Sequence, residues 1–345
     1  MEHEKEPQQS AFTYTSSNSY RVGLNAIANA HGLCALPDEL YSEIVAHLPS
    51  VPILCNLRDP VQECLYTRLT LSALSRTCRV LRRAIVPHLW QRIEVYDGMM
   101  TASGTLRVAS FRQNTPENQR NQRFNGEVFR QLEVVTVVDP SLAAHVRILN
   151  IRVQNYDVDS ILRKLMSSMA LFPNLHTVQL DLHTPFEYSA LKNSLFAQYV
   201  YPQIRNLAIS RGSENFIACC PGLKRFQAIR QCAWQALLKT VCRYPQIEVI
   251  GGLLFVDYPV ADVVKHLPNL RDITLDRFIL RKGLDPLMPF SELPKLQTIR
   301  LDMTIHPWKM GGYSGNNYVM SLPLATEAEI AQWVQWAKLI LTNVG

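Results

Sequence analysis

Phe172-Pro173-Asn174-Leu175-His176-Thr177-Val178-Gln179-Leu180 is the stretch that decides the fold. Proline has no N–H to give a strand ladder, so Pro173 suits the residue just before a strand and not its interior. The apolar-x-apolar ending has period two, which puts Val178 and Leu180 on one face. The same phrase returns as Tyr201-Pro202-Gln203-Ile204 through Ile209, Cys220-Pro221-Gly222-Leu223 through Ala228, and Tyr244-Pro245-Gln246-Ile247 through Ile250. It returns again as Leu267-Pro268-Asn269-Leu270 through Leu275 and Leu293-Pro294-Lys295-Leu296 through Leu301, with a proline-free copy at Val146-Arg147-Ile148-Leu149-Asn150-Ile151. The first apolar anchors fall at 146, 175, 204, 223, 247, 270 and 296, with spacings of 29, 29, 19, 24, 23 and 26. Helical segments such as Ile161 to Met169 and Ala233 to Val241 lie between them. One unit alone would expose its aliphatic side chains, and stacking buries them, at about 1.5–3 kcal/mol for each large side chain. The pattern predicts an α/β chain with a parallel sheet. A single non-repetitive α/β domain would have the same kind of sheet.

Taken in series, these phrases resemble a degenerate leucine-rich repeat array over about residues 144–304. The Asn that such repeats carry after the strand is mostly missing, which predicts an irregular solenoid. Residues 96–143 read as a linker or N-terminal cap, with Gln113 to Gln122 polar and turn-like and Phe129 to Val138 either helix or strand. After the array, residues 305–345 read as a long loop around Gly311-Gly312 and Gly315-Asn316-Asn317, followed by a capping helix. Thr326 and Glu329 have capping-box spacing for that helix, which carries Ile330, Trp333, Val334, Ala337 and Ile340-Leu341.

Upstream, residues 34–95 read as a small helical domain, behind a flexible segment at 1–33 rich in Ser, Gln, Asn and Thr. Pro37 suits a first helical position, Asp38 and Glu39 favour a helix start, and Leu40, Ile44 and Leu48 share one face. Leu71, Leu74, Cys78, Leu81 and Ile85 follow in steps of three and four, which predicts one continuous helix ended or kinked by Pro87. Leu36-Pro37-Asp38-Glu39, Ile44 to Leu48, and Leu74 to Cys78-Arg79 stand in the order of the F-box motif, and this stretch resembles that family, with a tail at Ile85-Val86-Pro87-His88-Leu89-Trp90 similar to fungal members. It departs in the long connection at 49–70 and in Leu81, where many members carry Trp.

Composition narrows the function. The chain has 345 residues, 44 of them Leu and only 14 Gly, with 35 basic and 29 acidic residues for a net charge of +6. That balance is too mild to imply a nucleic-acid partner, and Glu117, Glu127 and Glu133 dilute the strip of Arg112, Arg120, Arg123 and Arg130. The acidic start Met1-Glu2-His3-Glu4 is not expected to be a secretory signal, and no apolar run reaches membrane length. Eight cysteines without regular spacing read as reduced thiols in the cytoplasm or nucleus. Cys219-Cys220, Cys232 and Cys242 lack the spacing of a metal site and read as core thiols. Asp181, His183 and Ser189 come without a nucleophile elbow, and no glycine-rich phosphate loop is present. No catalytic residue, metal or cofactor is expected.

An F-box followed by leucine-rich repeats implies a substrate-recognition subunit of an SCF-type (Skp–cullin–F-box) ubiquitin ligase, one that performs no bond chemistry itself. On that resemblance Leu36, Pro37, Leu40, Ile44, Leu48, Leu74 and Cys78 match the motif that docks on the Skp adaptor and through it on cullin. A protein substrate would meet Asn150, Arg152, Gln179, Asp181, Arg225, Gln227, Asp272, Thr274, Asp276, Arg300 and Asp302, which lie between and beside the strand anchors. Their mixed charge suits a protein surface better than nucleic acid or membrane. The alternative is a repeat scaffold that binds proteins without ligase activity.

Overall fold

The computed structural model describes residues 36–49, 66–96, 98–101, 104–106, 116–183, 188–210, 212–229, 234–253, 260–276, 285–302, 308–311, 317–320 and 327–342. The expectations for 1–33, for most of the 49–70 connection, for Cys232 and for Thr326 lie outside these residues. The chain divides into Met1–Pro37 and a unit that runs from Asp38 to the C-terminus. The second unit holds the elements below.

Seven phrases give seven parallel strands: β4 (Ile148–Val153), β5 (Thr177–Leu182), β6 (Asn206–Ile209), β7 (Arg225–Ala228), β8 (Val249–Leu253), β9 (Asp272–Asp276) and β10 (Thr298–Asp302). An eighth, β1 (Arg92–Val95), precedes them, and the sheet order is β1-β4-β5-β6-β7-β8-β9-β10. The sheet therefore begins inside the stretch read as purely helical. Arg92-Ile93-Glu94-Val95 is too short to carry a periodic signal, and pairing with β4 in parallel register decides its state.

Register turns the repeated phrase into columns. Leu149, Val178, Leu207, Phe226, Ile250 and Ile273 are paired neighbours on successive strands, and all six are buried. The first anchors Val146, Leu175, Ile204, Leu223, Ile247, Leu270 and Leu296 form a second buried column. Against this face pack the helices α5 (Val158–Ala170), α6 (Ser189–Phe196), α7 (Trp234–Val241) and α8 (Val260–His266). α5 buries Ile161, Leu162, Leu165, Met166 and Met169. Two of the connections are 3-10 turns, Glu214–Cys219 and Asp285–Glu292.

The residue between Pro and the first anchor links consecutive turns. Asn174 Nδ2 donates to Ala144 O (2.7 Å), Gln203 Nε2 to Phe172 O (3.4 Å), Gln246 Nε2 to Pro221 O (2.8 Å) and Asn269 Nδ2 to Pro245 O (3.0 Å). Each side-chain amide satisfies a turn carbonyl of the preceding unit, which would otherwise need water. Gly222 occupies the same position in its phrase, because a Cβ there would come within 2.5 Å of Pro202 O. Gly252 sits at φ 67°, where β8 shifts register against β9, a left-handed conformation that glycine adopts without penalty.

The upstream helices are α1 (Asp38–Ala46), α2 (Thr67–Thr77) and α3 (Arg79–Leu89). The predicted single helix over 71–85 is two. Cys78 is extended (φ −153°, ψ 171°), and its Sγ accepts from Leu81 N at 3.4 Å, capping α3. Pro87 lies inside α3 and does not end it. The apolar stripe survives the break because Leu71 of α2 and Leu81 and Ile85 of α3 are all buried. Arg68 joins these helices to the sheet: its Nη1 donates to Leu89 O (3.3 Å) and Arg92 O (3.0 Å), and its guanidinium lies 5.0 Å from the Trp90 ring centre.

The exposed edge of β1 is covered by α4 (Glu117–Glu133). Gln131 Oε1 accepts from Glu94 N (3.2 Å) and its Nε2 donates to Glu94 O (2.9 Å), so one amide imitates the next strand. Asn125 does the same for the end of β4, accepting from Gln154 N (2.9 Å) and donating to Gln154 O (3.0 Å) and to Tyr156 O. An unpaired sheet edge is a template for unwanted pairing, and these two amides close it. Gln113 to Gln122 read as turn-like, but residues 117–122 open α4. A short hairpin, β2 (Met100–Thr101) with β3 (Gly104–Thr105), lies between β1 and α4.

The stretch read as a long loop after residue 305 contains an antiparallel hairpin, β11 (Trp308–Gly311) with β12 (Asn317–Met320). The final helix α9 (Glu327–Thr342) buries Trp333, Trp336, Ala337 and Ile340, while Ile330 and Val334 are exposed. Its buried face is thus narrower than the sequence stripe. Among the described residues no helix is long and apolar enough to cross a membrane.

Candidate partner-binding surfaces

Three surfaces carry the expected site residues or stand beside them: the polar face of the sheet, the groove along the strand starts, and the outer face of α1.

Register places the predicted substrate residues together. Asn150, Gln179 and Ala208 are aligned on β4, β5 and β6, Gln227 follows on β7, and Thr274 pairs with Arg300 across β9 and β10. Arg152 aligns with Asp181, and Asp276 with Asp302. Burial then separates them. Arg225 and Arg300 are exposed and Gln179, Asp272 and Thr274 half-buried, whereas Asn150, Arg152, Asp181 and Gln227 are buried. These last four, expected to meet a partner, have little surface open to solvent. The side chains of Asp276 and Asp302 lie outside the described residues.

Asp181 shows why. Arg152 Nε donates to its Oδ2 at 3.0 Å, and His183 Nε2 lies 3.2 Å from the same oxygen. Burial works to raise the Asp181 carboxyl, but His183 and Arg152 outweigh it and hold the group below its ordinary value. A buried ion pair satisfied this way is a structural element.

Of the described cysteines, Cys219, Cys220 and Cys242 are buried as core thiols. Cys219 Sγ donates to Phe196 O (3.1 Å) and Cys220 Sγ to Phe216 O (3.7 Å). Burial pushes Cys219 up to about 12 and Cys220 well above its usual value, as it does for thiols in apolar surroundings. Among the described residues no group of His, Cys, Asp and Glu is placed to hold a metal ion.

The groove was not foreseen. The residue after each first anchor forms a column along the strand starts: Arg147, His176, Arg205, Lys224, Glu248, Arg271 and Gln297. Its backbone runs as a ladder. His176 N donates to Arg147 O (3.0 Å), Arg205 N to His176 O (3.0 Å), Lys224 N to Arg205 O (2.9 Å), Glu248 N to Lys224 O (2.8 Å), Arg271 N to Glu248 O (2.7 Å) and Gln297 N to Arg271 O (2.8 Å). An open groove of about 710 Å³ follows this column from β5 to β10. Reading the sequence phrases for position as well as for apolar anchors would have found it, since four of the seven residues at this position are Arg or Lys.

The adaptor residues divide as well. On α1, Leu40 and Ile44 are 46% and 44% exposed, while Tyr41 is buried. Pro37 is exposed, and Leu36, Leu48, Leu74 and Cys78 are half-buried. The residues that hold the helices together are Tyr41, Leu71, Leu81 and Ile85, so the stripe separates into a packing set and an outward set. α1 meets α3 where Ser42 Oγ lies 3.5 Å from His88 Nε2. Burial, then Arg147 and His145, lower the His88 imidazole.

No protein-family model matches the chain, and no curated protein matches it.

Proposed function

We propose that the chain is the substrate-recognition subunit of an SCF-type ubiquitin ligase, with an F-box at α1–α3 and an irregular leucine-rich-repeat solenoid from β4 onward. The observation that carries the reading is the outer face of α1. Leu40 and Ile44, one helical turn apart and both in the F-box pattern, are exposed, while the packing of the helices uses Tyr41, Leu71, Leu81 and Ile85. Two large aliphatics left in water on one helix face suit a partner that buries them. The sequential parallel strands, joined by α-helical or 3-10 segments, support the repeat half of the reading. In this role the Skp adaptor and cullin are the partners on one side and a target protein is the partner on the other. The chain raises the effective concentration of target lysines near another protein's active site and performs no catalysis. Among the described residues the four cysteines are unbridged and three of them are buried, which supports residence in the cytoplasm or nucleus.

The test is co-purification of the full chain with the Skp adaptor, beside the variants Leu36→Ala/Pro37→Ala and Leu40→Asp/Ile44→Asp. Adaptor retained by the wild type and lost by both variants supports the reading. A folded wild-type chain that retains no adaptor refutes it and favours a repeat scaffold without ligase activity.

A further inference from the structure

The groove along the strand starts has a charge pattern of its own. Its walls carry the cations Arg205, Lys224, Arg225 and Arg271 against the two carboxylates Glu248 and Asp272. Lys224 Nζ donates to Glu248 Oε1 at 2.9 Å, so that pair is largely self-neutralised. Arg205, Arg225 and Arg271 are exposed, and among the described residues none of their side chains makes an ion pair. These three guanidiniums, from the units of β6, β7 and β9, outnumber the groove's remaining carboxylate, Asp272, and Arg225 and Arg271 also lie within electrostatic reach of Glu248. The local potential is felt by a neighbour: after burial, Arg147 and Arg205 lower the His176 imidazole.

Geometry sets the size and shape of what fits. Neighbouring strands lie about 4.8 Å apart, so the column from His176 to Gln297 spans about 24 Å, the reach of about seven extended residues. The floor is backbone already paired in the ladder described above, so a ligand is held by side chains from the walls and not by strand addition. Arginine forks donate two parallel hydrogen bonds to a carboxylate, and the Gln297 amide makes no bond among the described residues and faces the same groove.

We propose that this groove binds an extended acidic peptide segment of a partner protein, its carboxylates paired with Arg205, Arg225 and Arg271. A nucleic acid fits less well. Among the described residues no Phe, Tyr or Trp lines the groove, which leaves the His176 imidazole as its one ring for stacking a base, and Glu248 and Asp272 repel a continuous phosphate backbone, whereas a peptide sets its charges only where the arginines stand. The inference does not rest on adaptor docking, because the groove and α1 use different residues. Failure of one leaves the other in place.

The test uses the full chain and fluorescence anisotropy with three labelled probes of equal length: an eight-residue Glu/Asp peptide, the matching Gln/Asn peptide and an eight-nucleotide single-stranded RNA. The acidic peptide is expected to bind saturably and to weaken as salt rises from about 50 to about 200 mM, since screening shortens the reach of exposed charges. The Gln/Asn peptide is expected not to bind. Arg205→Glu/Arg271→Glu is expected to weaken acidic-peptide binding about tenfold or more through like-charge repulsion, while Arg163→Glu on the exposed face of α5 changes it less than about twofold. Circular dichroism checks folding, and Arg205→Gln/Arg271→Gln replaces the reversal if it unfolds. Absence of acidic-peptide binding, unchanged affinity in the double variant, or tighter binding of the RNA each overturns the proposal.

Discussion

Gln131→Leu tests whether side-chain amides close the open edge of the sheet. Gln131 is fully buried and serves both backbone groups of Glu94 in the edge strand β1, at 3.2 and 2.9 Å. Its Nε2 also donates to Glu127 Oε1 at 2.7 Å. Leucine has nearly the same volume and loses all three bonds. Glu127 keeps Arg130, at 2.6 and 2.8 Å, so the uncompensated loss falls on Glu94, a residue 7% exposed. Each orphaned buried backbone group costs about 1–3 kcal/mol. Burying the leucine returns part of this, leaving an expected destabilisation of about 2–4 kcal/mol, a large fraction of a folding free energy of about 5–15 kcal/mol. Urea unfolding at neutral pH, followed by circular dichroism, reads it. With a slope near 2 kcal/mol/M the midpoint falls by about 1–2 M, and amide exchange at Glu94 accelerates. Gln131→Glu separates shape from hydrogen bonding. It keeps an acceptor for Glu94 N but sets a carboxylate against Glu94 O and Glu127. It is expected to be at least as destabilised as Gln131→Leu at neutral pH and to recover in part as that carboxyl protonates in acid. A loss below about 1 kcal/mol in Gln131→Leu would refute the reasoning, because water would then be serving the edge as well as the amide does.

The turn ladder, the buried acid and the groove each make a further prediction. Gly222→Ala places a Cβ within 2.5 Å of Pro202 O, a backbone atom that cannot move alone, and is expected to lower the melting temperature through a cost of about 1–3 kcal/mol. Gly126→Ala, in the interior of α4 with nothing within 4 Å of its Cβ, is expected to raise it through a gain of about 0.5–1 kcal/mol. Asp181 is held below its ordinary value in the folded chain, so its stabilisation is full above about pH 4 and is lost as pH falls through the depressed folded value. Wild type should therefore lose more stability than Asp181→Asn on acidification below that point, measured as urea midpoints. Arg205→Ala removes one of the charges that lower His176, and NMR titration of the imidazole should show its pKa rise toward the ordinary histidine value.

Much of the sheet was legible because its signal is local. Each proline-led phrase writes a turn and a two-residue alternation in adjacent positions, so the seven strands β4–β10 and the helices over 158–170 and 234–241 follow from spacing alone. The break at Cys78 was not legible. A stripe of three-and-four steps is unaffected by one extended residue, since both helices return their apolar residues to the same core. Nor was β1, whose four residues become a strand only because β4 offers a ladder and Gln131 closes the other side.

The polar residues divide along the same line. Sequence alone placed Asn150, Arg152, Asp181, Gln227, Arg225 and Arg300 on one face, because strand alternation is a property of the chain. Which of them meet solvent was decided only in three dimensions. Arg152 and Asp181 stand on neighbouring strands and consume each other's charge, while Arg225 and Arg300 form no ion pair among the described residues and remain exposed. The basic column at the strand starts is the same case in reverse. Arg205, Lys224 and Arg271 are scattered charges in a chain of net +6, and only parallel register, at one strand spacing per unit, gathers them along one groove.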